Sequence, residues 1–169
     1  MRTYNDWVET VKRGTSLRLV PASMRDGRLC SIAISVNGLN LRDVPEELRT
    51  PTHCLDAVQR CGMAIRYVPT SLLTAELCAA AVASHGRAIR YVPEELLTEE
   101  MCLEAVLDAG MGLHDVPVHQ RTARVCWASV EKYGWTLEYV PNALKTPEMC
   151  DIAVRRFSFA ISHVPEAFL

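Results

Sequence analysis

Cysteine and histidine offer this chain its widest chemical scope, with seven of the first and five of the second. Cys30, Cys54, Cys78, Cys102, Cys126 and Cys150 recur at a step of 24 residues, and Cys61 stands apart. A zinc site needs CxxC pairs or closely placed Cys and His groups. The nearest approach is Cys54 with Cys61, so the spacing predicts no metal and no cofactor. A disulfide needs Cα atoms within about 7 Å, whereas equivalent points on stacked helices lie roughly 8–10 Å apart. The periodic cysteines therefore read as small apolar side chains in a column. His53, His85, His114, His119 and His163 fall on different columns and form no HExxH pattern. A catalytic nucleophile needs an adjacent base and an orienting third group, and no glycine-rich phosphate loop follows a strand. No enzymatic activity is expected.

Charge and aromatic residues give a second set of candidates. Arg18, Arg42, Arg66 and Arg90 share one register position, continued by His114, Glu138 and Ser162, and the next position holds Tyr67, Tyr91 and Tyr139. Such an Arg ladder beside Tyr rings could hold phosphates and stack bases. Arg42 also lies four residues before Glu46, and Arg90 four before Glu94, the spacing of surface ion pairs. Between Arg90 and Arg121 the only charged residues are Glu94, Glu95, Glu99, Glu100, Glu104, Asp108 and Asp115. That stretch is either a solvated helical face or a patch aimed at a basic partner. Leu55, Leu103, Leu107 and Trp127 lie on one helix flank, as inter-unit core or as an apolar strip beside the acids, the composition of a docking surface. The candidate partner-binding set is thus Glu94, Glu95, Glu99, Glu100, Glu104, Asp108 and Trp127. The alternative nucleic-acid set is Arg18, Arg42, Arg66, Arg90, Tyr67 and Tyr91. The stretch from Pro117 to Pro141 departs most from the pattern, with Gln120 for Leu, Ser129 for Ala, and Trp127, Trp135, His114 and His119 in or beside it.

The elements that must carry these side chains are written in a repeat. AIRYVPTSLLTAELCAAAV, from Ala64, is followed by AIRYVPEELLTEEMCLEAV, from Ala88, and Val-Pro recurs every 24 residues from Val20-Pro21 to Val164-Pro165. The unit is VPxxLxTxxxCxxAVxxxGxx[LI]xxVP. Thr50, Thr74, Thr98, Thr122 and Thr146 stand at N-cap positions, with Pro51 and Pro147 in the first helical turn. His53, Cys54, Ala57, Val58 and Cys61 space one apolar helical face, and Leu77, Cys78, Ala81 and Val82 repeat it. Gly14, Gly38, Gly62, Gly86, Gly110 and Gly134 are expected to end each helix in the left-handed conformation. Ile65, Val68 and Leu72 predict a second, shorter helical segment, broken at Pro69. A leucine-rich repeat would need a period-2 strand and an Asn position, and neither is present. The pattern predicts an all-α fold, an α-solenoid of six to seven 24-residue repeats. Residues 1–14 form a capping helix in which Asp6 replaces Cys, and 15–169 form one elongated array of tandem repeats. Phe168 and Leu169 leave a C-terminal end that folds back or meets another chain, which would give self-association.

From about Leu17 to Leu169 the text, above all AIRYVPEELLTEEMCLEAV, resembles a bacterial and phage family of helical repeats, a domain of unknown function of the DUF4116 type. The resemblance implies an all-helical array with an interaction role, and it transfers no catalytic residue. Pro follows Val in every copy here, where that family often has a small residue.

Composition agrees with a globular protein. Hydrophobic residues make up 49 % and charged residues 22 %, too apolar for extensive disorder. No apolar run approaches the roughly 20 residues of a membrane span, and MRTYNDWVETVKRG is too polar for a secretory signal. A cytoplasmic location is expected, or the host cytosol for an effector. The function these features predict is a non-enzymatic scaffold for a protein partner with a basic surface. One form of it is an effector or inhibitor from a phage or mobile element, acting on a host nucleic-acid-handling complex. Direct RNA or DNA binding through the Arg ladder is the alternative, opposed by a net charge of -2.

Overall fold

The computed structural model describes residues 2–108 and 113–169, and every regular element among them is helical. The α-helices are α1 (Tyr4–Lys12), α2 (Gly27–Val36), α3 (Pro51–Arg60), α4 (Ala75–Ser84), α5 (Glu99–Leu107), α6 (Ala123–Lys132) and α7 (Pro147–Arg156). After α3 the chain runs through a 3-10 segment, Gly62–Tyr67, an extended Val68-Pro69 and a single 3-10 turn, Thr70–Leu72. The copies after α2, α6 and α7 repeat that order. The chain forms two compact units, Met1–Tyr91 with α1 to α4 and Val92–Leu169 with α5 to α7. The first holds twelve Lys/Arg against eight Asp/Glu, a balance of +4; the second holds six against twelve, a balance of -6.

Local chemistry accounts for each element. The side chains of Thr50, Thr74, Thr98, Thr122 and Thr146 accept from the backbone N–H three residues on, as N-caps, and Pro51 and Pro147 occupy the first turn. Asp6 accepts from the backbone N–H of Thr3 and closes a capping box on α1, which is why an acid stands there. The segments after α2, α3, α4, α6 and α7 are 3-10 because each must stop within six residues at Val-Pro, whose backbone is extended (Val68 ψ 128°, Pro69 ψ 138°).

The glycines act differently from the expectation. Only at Gly14 is φ positive, +97°, among the described residues, and Gly110 lies outside them. The helices ending at Val36, Arg60, Lys132 and Arg156 are closed instead by Asn37, Cys61, Tyr133 and Phe157, with φ between -134° and -152°. Glycine is needed one residue later because a Cβ on Gly38, Gly62 or Gly134 would drive into the carbonyl oxygen of Ala57, Ala81 or Ala153 on the next helix. The constraint is close approach between copies.

Stacking in chain order follows within each unit. In the first, α1 packs on α2, α2 on α3 and α3 on α4, while Gly38–Asp43, Gly62–Tyr67 and Gly86–Tyr91 make a parallel row. In the second, α5 packs on α6 and α6 on α7. Helices of nine or ten residues are marginal alone, so the shared face supplies the stability. Cys30, Cys54 and Cys78 are buried on that face in the first unit, as are Cys102, Cys126 and Cys150 in the second. Burial pushes the thiols of Cys30, Cys102 and Cys126 up to about 11, so they stay protonated and inert at neutral pH.

One polar exception in this core, His53, is satisfied at both ring nitrogens, whereas the buried Ser129 hydroxyl of the irregular copy has no hydrogen-bond partner among the described residues. His53 occupies the register position of Leu29 and Leu77 and is buried. Its Nδ1 donates to the Leu48 carbonyl at 2.7 Å, and Nε2 lies 2.7 Å from Ser31 Oγ. The order of groups is that of nucleophile, base and orienting acceptor, but here it seats an imidazole in an apolar column. Ser31→Ala alone should cost about 1 kcal/mol, because Nε2 loses its partner. The double change Ser31→Ala with His53→Leu should recover most of that loss in urea melts. A Ser31→Ala variant as stable as the parent would show that the bond contributes nothing.

A second device was not anticipated from the sequence. Arg49 donates from Nε to the Val44 carbonyl (3.0 Å) and from its terminal nitrogens to the carbonyls of Tyr67 (3.0 Å) and Arg42 (3.2 Å). Arg25 does the same for Val20, Asp43 and Arg18, and Arg121 for Val116 and Tyr139. Lys145 reaches the His163 carbonyl at 2.8 Å. These carbonyls flank the extended Val-Pro break, where no backbone N–H is placed to meet them. One cation therefore ties two successive copies together.

Candidate functional site

The two units present different outer faces. In the second, Thr98 caps α5, so Glu99 and Glu100 stand in its first turn. Glu99 accepts from Thr122 Oγ1 (2.5 Å) and from Arg124 (3.1 Å). The Thr122 hydrogen bond and then the Arg124 guanidinium hold its carboxyl below the usual range. Arg124 also lies 3.7 Å from Glu100, and His119 lies 2.9 Å from Glu94. Tyr133 donates to the Asp108 carbonyl at 3.3 Å, and Lys132 donates to that of Leu107. Basic residues of one copy thus meet acids of the copy before it. Glu94, Glu99 and, at the longest distance, Glu100 meet that lattice, and Glu94, Glu95, Glu100 and Glu104 are all exposed.

Apolar surface adjoins these acids. Leu107 is exposed, whereas Leu103 and Trp127 are half-buried. A shallow groove of about 530 Å³ is lined by Leu107, Ala128, Glu131, Lys132 and Arg156. The irregular copy between Pro117 and Pro141 gains an aromatic chain: Tyr133 lies 6.3 Å from Trp135, Trp135 6.2 Å from Tyr139, and Tyr139 5.5 Å from His114.

In the first unit the row of 3-10 segments displays Arg18, Arg42, Arg66 and Arg90 on its exposed side. Arg42 pairs with Asp43 at 3.4 Å, not with Glu46 as the four-residue spacing suggested. The extended Val44-Pro45 lies between them, so the helical i,i+4 rule does not apply. Arg66 stands over the Tyr67 ring, 4.7 Å from its centroid. A hydrogen bond to Tyr91 is the main reason its guanidinium is held above its ordinary range, with Tyr67 adding to the effect. Beside them a polar pocket of about 240 Å³ is lined by Ser16, Asn37, Asn40, Arg42, Asp43, Arg66 and Tyr67, among others. Asn40 is buried there, its Oδ1 accepting from the Leu17 N–H (3.1 Å) and its Nδ2 donating to the Ala33 carbonyl (2.8 Å). The sequence signal for that pocket was Asn40 itself, at a position where Ala64, Ala88 and Ala160 stand in other copies.

The copies that carry Arg66, Tyr67, Arg90 and Tyr91 are also where the chain is similar to a known family. Residues 54–97 match a domain of unknown function (DUF4116). The match runs from within α3 to the turn after Pro93 and includes both AIRYVP phrases, about a quarter of the chain. No curated protein and no solved structure matched. Among the described residues no helix is long and apolar enough to cross a membrane, and no three His, Cys, Asp or Glu side chains converge as metal ligands.

Proposed function

We propose that the protein is a non-enzymatic scaffold whose second unit docks a protein partner with a basic surface. The observation that carries this reading is the outer face of α5 and α6. There Glu95, Glu100 and Glu104 stay exposed on a unit with a balance of -6, next to exposed Leu107 and the half-buried Trp127. Apolar anchors supply affinity and surrounding charge supplies steering and choice of partner. The groove beside Leu107 offers room for a partner side chain. In this role the acids fill a basic groove on a nucleic-acid-handling complex, the action of an inhibitor carried by a phage or mobile element in a cytosol.

Glu99 is a poor test position because it holds Thr122 and Arg124. The triple variant Glu95→Lys, Glu100→Lys and Glu104→Lys avoids it. Pull-downs from the source cell should recover a basic protein with the parent chain and at least about tenfold less with the triple variant. Circular dichroism melts should place the triple variant within about 1 kcal/mol of the parent, since the Glu100–Arg124 contact it removes is exposed. Recovery of the same protein in the same amount by both would remove the proposal.

A further inference from the structure

We infer that the first unit carries a separate binding site for single-stranded nucleic acid, centred on Arg42, Arg66 and Tyr67. The inference is independent of the acidic face, since it uses other residues in the other unit. Three observations support it. The first unit has a positive balance of +4, although the whole chain is negative. Arg18, Arg42 and Arg66 recur once per copy, each exposed, on a row of 3-10 segments that contact one another in order. Tyr rings stand beside two of them: Arg66 covers Tyr67 and bonds toward Tyr91, and Arg42 approaches Tyr67 as well as Asp43.

The pocket decides between anionic partners. An acidic peptide gains affinity mainly from apolar anchors in a desolvated pocket, and this cavity is lined chiefly by Ser16, Asn37, Asn40, Asp43, Arg42 and Arg66. Such a lining matches sugar hydroxyls and base edges, with phosphates on the guanidinium forks. Asp43 is mostly covered beneath Arg42, where it orients the guanidinium rather than repelling a ligand. Exposed Leu19, in the register position of Tyr67 and Tyr91, extends the surface on which a base can rest. Aromatic and guanidinium planes take unpaired bases, which a duplex keeps stacked inside.

The test uses fluorescence anisotropy with a labelled 20-nucleotide single-stranded RNA and DNA, titrated with the full chain from about 20 to 200 mM salt. Three phosphate contacts predict a log-log salt slope of about -2, at roughly -0.7 per contact on single strands. The variant Arg42→Gln with Arg66→Gln should bring the slope to about -0.7 and weaken binding at least about tenfold at low salt. Its melt should match the parent, because both side chains are exposed. The triple Glu95, Glu100 and Glu104 variant should bind these strands no less tightly than the parent, which separates this site from the acidic face. Absence of binding at about 20 mM salt overturns the inference, as does unchanged affinity in the double variant. A duplex of the same length bound as tightly as the single strand also overturns it, and so does a poly-glutamate peptide that competes as well as the RNA.

Discussion

Replacing Gly62 with alanine is expected to destabilise the first unit by about 3 kcal/mol, the upper part of the range for overpacking a close contact. The added methyl would drive into the Ala81 carbonyl and come within 3.0 Å of the backbone nitrogen and Cβ of His85. None of these atoms sits at the end of a flexible side chain, so relief requires moving α4 away from Gly62–Tyr67. The paired control is Gly27→Ala, where nothing lies within 4 Å and φ is not positive. That change sits at the start of α2 and should be neutral or stabilise by about 0.5 kcal/mol through the unfolded state. Urea melts followed by circular dichroism check both. Equal midpoints for the two variants would show that the copies do not approach as closely as described.

The second large effect concerns Arg49. Its three hydrogen bonds satisfy carbonyls on both sides of the Val-Pro break, one of them in the next copy. Arg49→Met keeps the packing of the stem and removes the donors. It should cost about 2 kcal/mol, in line with the loss of charge-assisted bonds from a partly buried site. Arg49→Ala should cost about 3 kcal/mol, since the stem contacts go as well. Arg49→Lys should fall between Met and the parent, because an ammonium can reach the next copy, as Lys145 does, but cannot fork to three acceptors. A methionine variant within about 0.5 kcal/mol of the parent would show that water serves these carbonyls equally well.

Residues 50–72 show which parts of the fold can be read from text. Thr50, Pro51, the apolar run from His53 to Val58, and Pro69 each act on their own neighbourhood, so their types and spacing gave the helix, its start and the break after Val68 correctly. Gly62 was misread because a left-handed turn and a close approach both exclude a side chain, and only the position of Ala81 distinguishes them. Arg49 was passed over because its partners are carbonyls, which every residue carries. The recurrence of Arg25, Arg49, Arg121 and Lys145 at one register position was its only trace.

The candidate surfaces divide along similar lines. Arg18, Arg42, Arg66 and Tyr67 were legible as a row because one period places them, and the row is what stacking produces. Their immediate partners were not. Arg42 to Glu46 borrowed a helical spacing across an extended break, whereas Glu99 meets Arg124 from 25 residues away. Such a pair is visible only when the register between copies is known. That register also ties Glu99 to Thr122 and Arg124 and Glu94 to His119, and leaves Glu95 and Glu104, with Glu100 held only at 3.7 Å by Arg124, turned to a partner.

All of these expectations depend on successive copies lying against one another in chain order with equivalent residues in register. A nuclear Overhauser spectrum of the isotope-labelled protein tests this most directly at Gly62, whose α protons report contacts without a side chain to move. The stacking described here predicts cross peaks from Gly62 to Ala81 and His85 on α4. Cross peaks from Gly62 to α1, in place of those to α4, would contradict it.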